Sequence, residues 1–343
     1  MTRGKEDRNA WLEPGAFEVA AGVHRIPLPL PNDGLRAVNV YALRDADGLV
    51  LIDSGWALDE SRQQLETSLG LIGFDLGSIT RFLVTHVHRD HYTQAVVLRK
   101  LFGARVALGI DERDTLEYAQ RVPWTLSPVQ IERLQAAGAA HIAQQIAAVA
   151  RDPDPSRAEQ WAMPDEWLRG GDRIQVGERT LEAVATPGHT RGHLVFHDRQ
   201  NALLFAGDHV LPTITPSLGL EPVPSQSPLS AYLSSLDVVA ALADSMLLPA
   251  HGPVRPSTAG RVVELQDHHR RRLDEMLSVT AAEPSTAMQV AQRVGWTRRN
   301  HAFADLDLFN QMLAVTETLA HLDVLVDRGL TSLKTEQGIH LYG

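Results

Sequence analysis

The first part of the chain carries short apolar runs with a period near two. "GVHRIPLPLP", "AVNVYALRD" and "GLVLIDSG", within residues 18–53, are β-rich and are broken by Pro, Asp and Gly, which predicts successive strands. The period then lengthens, and "ALDESRQQLETSLGLIG" predicts a helix ending in Gly. "RFLVTH" predicts a buried strand, "YTQAVVLRKLFG" a helix and "ARVALG" another strand, an alternation that implies helices layered on sheet faces. Residues 111–168 turn to Ala, Gln, Arg and Glu, with a helical pattern through "SPVQIERLQAAGAAHIAQQIAAVARD" and with Trp124, Trp161 and Trp167. Strands resume at "RIQVG", "TLEAVATPGH", "LVFHD", "NALLFAGDH" and "SMLLPAHG". The helical stretch therefore reads as an insertion between two sheet halves, a common position for a lid or substrate wall. After Pro253 three helical patterns follow, "TAGRVVELQDHHRRRLDEMLSVT", "STAMQVAQRVG" and "LFNQMLAVTETLAHLDVLVDRG", and then a closing hairpin, "TSLKTEQGIHLYG". This is the outline of a winged helix-turn-helix module, so the expected division is 1–255, with an insertion about 111–168, and 256–343.

Superimposed on this pattern is "THVHRDH", Thr85 to His91, directly after an apolar run. In an extended segment residues i and i+2 point the same way, so His86 and His88 can hold one ion together. Asp90 and His91, on the turn into the next helix, can face a second. Such groups need partners from elsewhere, since a catalytic zinc takes three protein ligands and keeps a position for water. Three later runs end alike: "LEAVATPGH" at His189, "ALLFAGD" at Asp208 and "SMLLPAH" at His251. Loops at the carboxyl ends of strands gather in one crevice in open α/β sheets, which is where all four segments are expected to meet.

Composition narrows the chemistry. The 343 residues include no Cys, which excludes disulfides, thiolate metal sites and cysteine nucleophiles and leaves His, Asp and Glu as metal ligands. The formal charge of -10 argues against broad binding to nucleic acid or anionic membrane, while leaving room for a local basic patch. The charged N-terminal stretch "MTRGKEDRNAWLEPGAF" shows no signal-peptide core, and no apolar run approaches the ~20 residues of a membrane helix. The expected location is cytoplasmic.

The ordered set His86, His88, Asp90, His91, His189, Asp208 and His251 resembles the pattern of the metallo-β-lactamase superfamily: HxHxDH, then GH, then D, then GH or AH. That resemblance implies an α/β fold, an αββα sandwich. It also implies one metal on His86, His88 and His189, another on Asp90, His91 and His251, and Asp208 bridging them. Within the superfamily, "GDHVLPTITPSLGLEP", "LLPAHGP" and "HHRRRLDEML" followed by "ETLAHLDVLVDRG" resemble the LACTB2-like (β-lactamase-like protein 2) and glyoxalase II-like branch with its C-terminal winged-helix-like domain. Two departures stand out. Tyr92, Thr93 and Gln94 occupy positions where many relatives have a Gly pair, which implies altered access to the metals. The absence of Cys separates the chain from class B1 β-lactamases.

The expected activity is a dinuclear metal-dependent hydrolysis of a small ester, thioester or lactone through a metal-bridging hydroxide, because two divalent ions lower the pKa of a shared water from 15.7 to roughly 7. Asp208 would act as the bridge, and Asp90 or a metal-bound water would protonate the leaving group. Zn2+ suits the donors, and Mn or Fe fit the same set. The alternative is an endoribonuclease using the same two-metal clamp, although Arg270–Arg272 and Arg298–Arg299 offer little of a positive groove. A third reading is a non-enzymatic winged-helix regulator. Asp53, in "LIDSG", reads as a helix N-cap or as a carboxylate orienting a ligand imidazole. His193 reads as an oxyanion donor or a structural hydrogen bond, and His209 is expected to point away. The run His268 to Arg272 reads as a solvated helix face. Against a regulator role, the C-terminal module would pack over the site mouth or form a homodimer interface, and plain helix packing is the favoured reading of it.

Overall fold

Strands β1 Phe17–Ala20, β2 Val23–Pro29, β3 Ala37–Asp45 and β4 Gly48–Ile52 form the predicted N-terminal series in a computed structural model. The structure describes residues 9–31, 33–121, 126–149, 155–223, 225, 227–297 and 300–343, so Trp124 and the pair Arg298–Arg299 lie outside the described residues. Helix α1 Asp59–Leu71 precedes β5 Ile79–Leu83, and α2 Arg89–Phe102 precedes β6 Arg105–Gly109. The helical stretch contains α3 Arg113–Arg121, α4 Pro128–Ala136 and α5 Ala140–Val149. The strand β7 Glu166–Leu168 then completes a seven-stranded sheet in the order β1 to β7. The pairing is antiparallel from β1 to β4 and parallel from β4 to β7.

The second sheet holds β8 Arg173–Val176, β9 Arg179–Ala185, β10 Leu194–Asp198, β11 Leu203–Gly207 and β12 Met246–Pro249, in the order β12-β11-β10-β9-β8. Helix α6 Pro228–Ala240 connects β11 to β12, which run parallel as such a crossover requires. Helices α7 Ala259–Ala282, α8 Ala287–Arg293 and α9 Leu308–Asp327 and the hairpin β13 Leu333–Glu336, β14 Ile339–Tyr342 end the chain. No described helix is long and apolar enough to cross a membrane.

Three apolar layers make this the αββα sandwich. Val23, Tyr41, Leu43, Ile52 and Leu83 of the first sheet meet Leu181, Phe196, Phe205 and Leu248 of the second. The outer face of the first sheet packs on α1 and α2 through Leu65, Leu69, Ala95 and Leu98. The outer face of the second packs on α6, and that cluster runs on through Leu134 and Ile142 of the helical stretch to Val290, Val315 and Leu322 of the C-terminal helices.

Local expectations are corrected in four places. Helix α2 begins at Arg89, so Asp90 and His91 lie in its first turn, not on a turn before it; a helix N-terminus favours such a carboxylate. The stretch from Ser127 is two helices, because the Ala137 carbonyl accepts from the Met288 amide and so leaves the helical ladder. Tyr92 is fully buried between helix and sheet and donates to the Ala162 carbonyl, and Gln94 donates to the Ser54 carbonyl, so this trio packs into the fold. Two of the five residues of the His268–Arg272 run face inward: His269 Nδ1 meets His321 Nε2 at 3.1 Å, and the Arg272 guanidinium lies over Trp296 at 4.6 Å. Spacing i and i+3 puts those two residues on one helix face, and burial of Arg272 is offset by its bonds to Glu275 and the Gly295 carbonyl.

Candidate metal centre

Both sheets deliver their ligand-type residues from strand carboxyl ends on one edge. Asp53 follows β4, His86 and His88 follow β5, His189 follows β9, Asp208 follows β11 and His251 follows β12. Backbone hydrogen bonds stitch that edge together: Leu194 N to Thr85 O at 2.8 Å, and Ala250 N to Gly207 O at 3.0 Å. Imidazoles from opposite sheets are thereby fixed at contact distance.

All seven expected residues come together. His86, His88, His189 and Asp208 form one group, and Asp90, His91 and His251 another, with the donor atoms of each group within 4.8 Å of one another. His189 Nε2 lies 3.1 Å from His88 Nδ1 and 3.4 Å from Asp208 Oδ2. The other oxygen, Asp208 Oδ1, lies 3.3 Å from His251 Nε2 and 3.7 Å from His91 Nε2. Asp90 Oδ2 sits 3.4 Å from His251 Nε2 and 3.5 Å from His91 Nε2. Asp208 thus turns one oxygen to each group.

The Nδ1 atoms of His86, His91, His189 and His251 are engaged outward, which leaves the Nε2 of each facing inward. His91 Nδ1 meets Asp53 Oδ2 at 2.9 Å, His189 Nδ1 the Ser217 carbonyl at 2.8 Å and His251 Nδ1 the Ala37 carbonyl at 2.7 Å. His86 Nδ1 lies 3.0 Å from Thr85 Oγ1. An N–H given to a carbonyl or carboxylate leaves the opposite nitrogen as a bare donor pair, the arrangement metal-binding imidazoles use. Asp53 is therefore an orienting carboxylate rather than a helix cap. Its other contacts are the Thr85 amide at 2.8 Å and the Thr85 hydroxyl. His193 takes the structural reading: its Nδ1 meets Thr186 Oγ1 at 2.8 Å, and its Nε2 accepts from the Asp208 amide at 3.2 Å. It aims Asp208 from behind. His209 is buried against Tyr232, away from the cluster.

Buried polar atoms are almost always paired, yet His86 Nε2, His91 Nε2, His251 Nε2 and Asp208 Oδ1 have no hydrogen-bond partner. The electrostatics explain what these orphaned atoms suit. His88 is pushed down to about 3, by burial first and then by His189. His86 also falls well below its usual value, through burial and then His91. His91 goes the other way, up to about 10: burial works against its charge, but Asp53, Asp90 and Asp208 outweigh it. Asp208 is held well below the carboxylate range, since His251 and His91 overcome its burial. In one group His86 and His88 are thus held neutral, and the other presents a potential that favours positive charge. Both suit divalent cations, with protons as competitors.

Fold and site together define a class, and comparison with known proteins agrees. The chain belongs to the metallo-beta-lactamase superfamily, whose family pattern matches residues 33–251. It is a metallo-hydrolase of that superfamily with a His/Asp metal-binding cluster. It is 24% identical to "Probable metallo-hydrolase YqjP" of Bacillus subtilis strain 168 over 90% of this chain and 93% of that protein. It is 28% identical to "Acyl-coenzyme A thioesterase MBLAC2" of Gallus gallus over 56% of this chain and 64% of that protein. The crystal structure of a metallo-beta-lactamase family protein from Thermus thermophilus superposes with a TM-score of 0.78 at 26% identity, covering 95% of this chain and 99% of that one.

Several participants left no mark in the sequence. The Ser217 and Ala37 carbonyls orient two of the imidazoles, and a backbone carbonyl can be supplied by any residue. His193 left a mark, its place in "GHTRGH", but that spacing fits either of its two readings.

Proposed function

We propose that the chain is a dinuclear metal-dependent hydrolase of small acyl substrates, thioesters foremost and esters or lactones next. The observation that carries this reading is the division of Asp208, Oδ2 toward His189 and Oδ1 toward His251 and His91. A carboxylate placed so can be shared by two ions. His86, His88 and His189 would hold one ion and Asp90, His91 and His251 the other, with Zn2+ best matched to the donors and Mn or Fe compatible. Bound there, divalent ions acidify solvent and polarise a substrate carbonyl. The protein's own part is orientation. Asp53 and the Ser217 and Ala37 carbonyls lock the imidazoles, and His193 locks the Asp208 backbone. Asp90 Oδ2 lies 3.5 Å from His91 Nε2 and 3.4 Å from His251 Nε2. Burial works against its charge, but those imidazoles hold it below the usual carboxylate range. It would therefore first take the proton released by the attacking water and then hand it to the leaving group. The thioester preference draws support from the likeness to the acyl-coenzyme A thioesterase.

The direct test is a panel of acyl thioesters, esters and lactones, with single-stranded RNA at low salt as the competing substrate. Thioester hydrolysis should vanish on complete chelation and return with Zn2+; turnover that persists without metal sinks the reading. Asp53→Ala leaves His91 Nδ1 without its acceptor. The affinity of the Asp90–His91–His251 group for metal is expected to fall roughly 10–100-fold, the usual cost of losing such a partner. A competition titration against a chromophoric chelator measures it, and an unchanged affinity would show that Asp53 does not orient His91.

A further inference from the structure

Two carboxylic acids beside the His189 loop take no part in the reading above. Glu112 is completely buried in the single turn Ile110–Glu112 that follows β6. Glu221 is 3% exposed, on the loop that also carries Ser217. Glu112 Oε1 accepts from Thr190 Oγ1 at 2.5 Å, one residue past His189. Glu221 Oε1 accepts from the Arg191 amide at 3.0 Å, two residues past His189. Both acids thus brace the His189 loop, one from the end of β6 and the other from the Ser217 loop.

The approach is close enough to demand glycine. A Cβ on Gly192 would lie 2.4 Å from the Glu112 nitrogen and 2.6 Å from its Cγ, and a Cβ on Gly109 would lie 2.2 Å from the Gly192 oxygen. The end of β6 and the turn after His189 are pressed backbone to backbone. Stability alone would not select acids here. Burial pushes both carboxyls up, Glu221 raises Glu112 further, and Glu112 Oε2 has no hydrogen-bond partner. Packed apolar side chains generally serve a buried site at least as well.

We propose that Glu112 is a positioning residue for the first ligand group: its carboxyl ties the His189 loop to the end of β6 and so sets where His189 stands beside His86 and His88 around a divalent cation. This rests on the metal-dependent reading above and adds a residue that reading does not require. The spacing is transmitted through Thr190, next to His189, so the effect should fall on one metal position and spare the other.

The test uses the full chain, stripped of metal and titrated with Zn2+ against a chromophoric chelator, for wild type, Glu112→Gln, Glu112→Leu and Thr190→Val. Glu112→Gln keeps an oxygen acceptor for Thr190, and both metals should bind within about threefold of wild type. Glu112→Leu should weaken one of the two metal positions roughly 10–100-fold and leave the second unchanged. Thr190→Val removes only the donor and should reproduce that selective loss, which keeps the inference testable if Glu112→Leu does not fold. Two unchanged affinities in Thr190→Val, or equal loss at both positions, overturns it, since a merely structural acid would not discriminate between metals. If wild type itself binds no metal, both readings fall; if wild type binds two ions and the variants match it, this one alone falls.

Discussion

Asp208→Ala should lower kcat/KM for thioester hydrolysis by about 10³-fold or more while the chain still folds. Asp208 turns one carboxylate oxygen to each ligand group, and its Oδ1 is buried without a hydrogen-bond partner. In the proposed two-metal site its removal would deprive both cation positions of a shared charge. Lewis-acid stabilisation supplies several kcal/mol in such sites, and about 4 kcal/mol corresponds to roughly 10³ in rate. The fold should tolerate the change, because Asp208 is flanked by backbone bonds, its own amide to His193 and Gly207 O to Ala250 N, that the substitution leaves in place. The decisive measurements are kcat/KM and elemental analysis on the same preparation. A variant that keeps two metals per chain and activity within tenfold of wild type would remove the basis for a shared carboxylate.

That prediction depends on a site whose residues are largely legible in the sequence. His86, His88, His189, Asp208 and His251 each end an apolar run, and a run ending in a ligand-type residue marks a strand's carboxyl end. Ordering by strand end is a one-dimensional signal, so it survives in the sequence. What does not survive is anything decided by contact between distant segments. The start of α2 at Arg89 is hidden because "HRDH" carries no polar cap; His88 sits at the N-cap position and makes no capping bond. Helix α6, "PLSAYLSSLDVVA", has Leu229, Tyr232, Leu236 and Val239 buried, and Ser227 with Pro228 at its first position is a start signal that the sequence does carry. The inward turn of His269 and Arg272 is masked by a run of five basic-type residues, whose average polarity suggests solvent. Glu112 reads in sequence as one more surface acid in "GIDER"; only the approach of Gly192 reveals it as interior.

The same kind of close approach makes Gly188→Ala a strongly damaging single methyl. Gly188 precedes His189 with φ at +140°, a region L-residues rarely enter. An added Cβ would lie 2.5 Å from Tyr232 Cβ and 2.6 Å from the Tyr232 Cα and nitrogen. Those are atoms of α6 itself, so no rotamer change relieves the clash. The helix is also pinned there: Tyr232 Oη donates to the His209 carbonyl at 2.9 Å and Ser235 Oγ to the Pro187 carbonyl at 2.8 Å. Either α6 lifts from the second sheet or the turn carrying His189 moves. Backbone strain and overpacking each cost about 1–3 kcal/mol, which together give roughly 4 kcal/mol. The melting midpoint of the metal-free protein should drop by about 8 °C or more. Gly260→Ala is the matched control, since it adds a methyl in exposed α7 with nothing within 4 Å, and helix propensity favours Ala there by up to about 1 kcal/mol. Calorimetry on the pair separates the two cases. Should Gly188→Ala melt with wild type, the backbone contact between the His189 turn and α6 is not as tight as drawn, and His189 has more freedom than its role as a ligand allows.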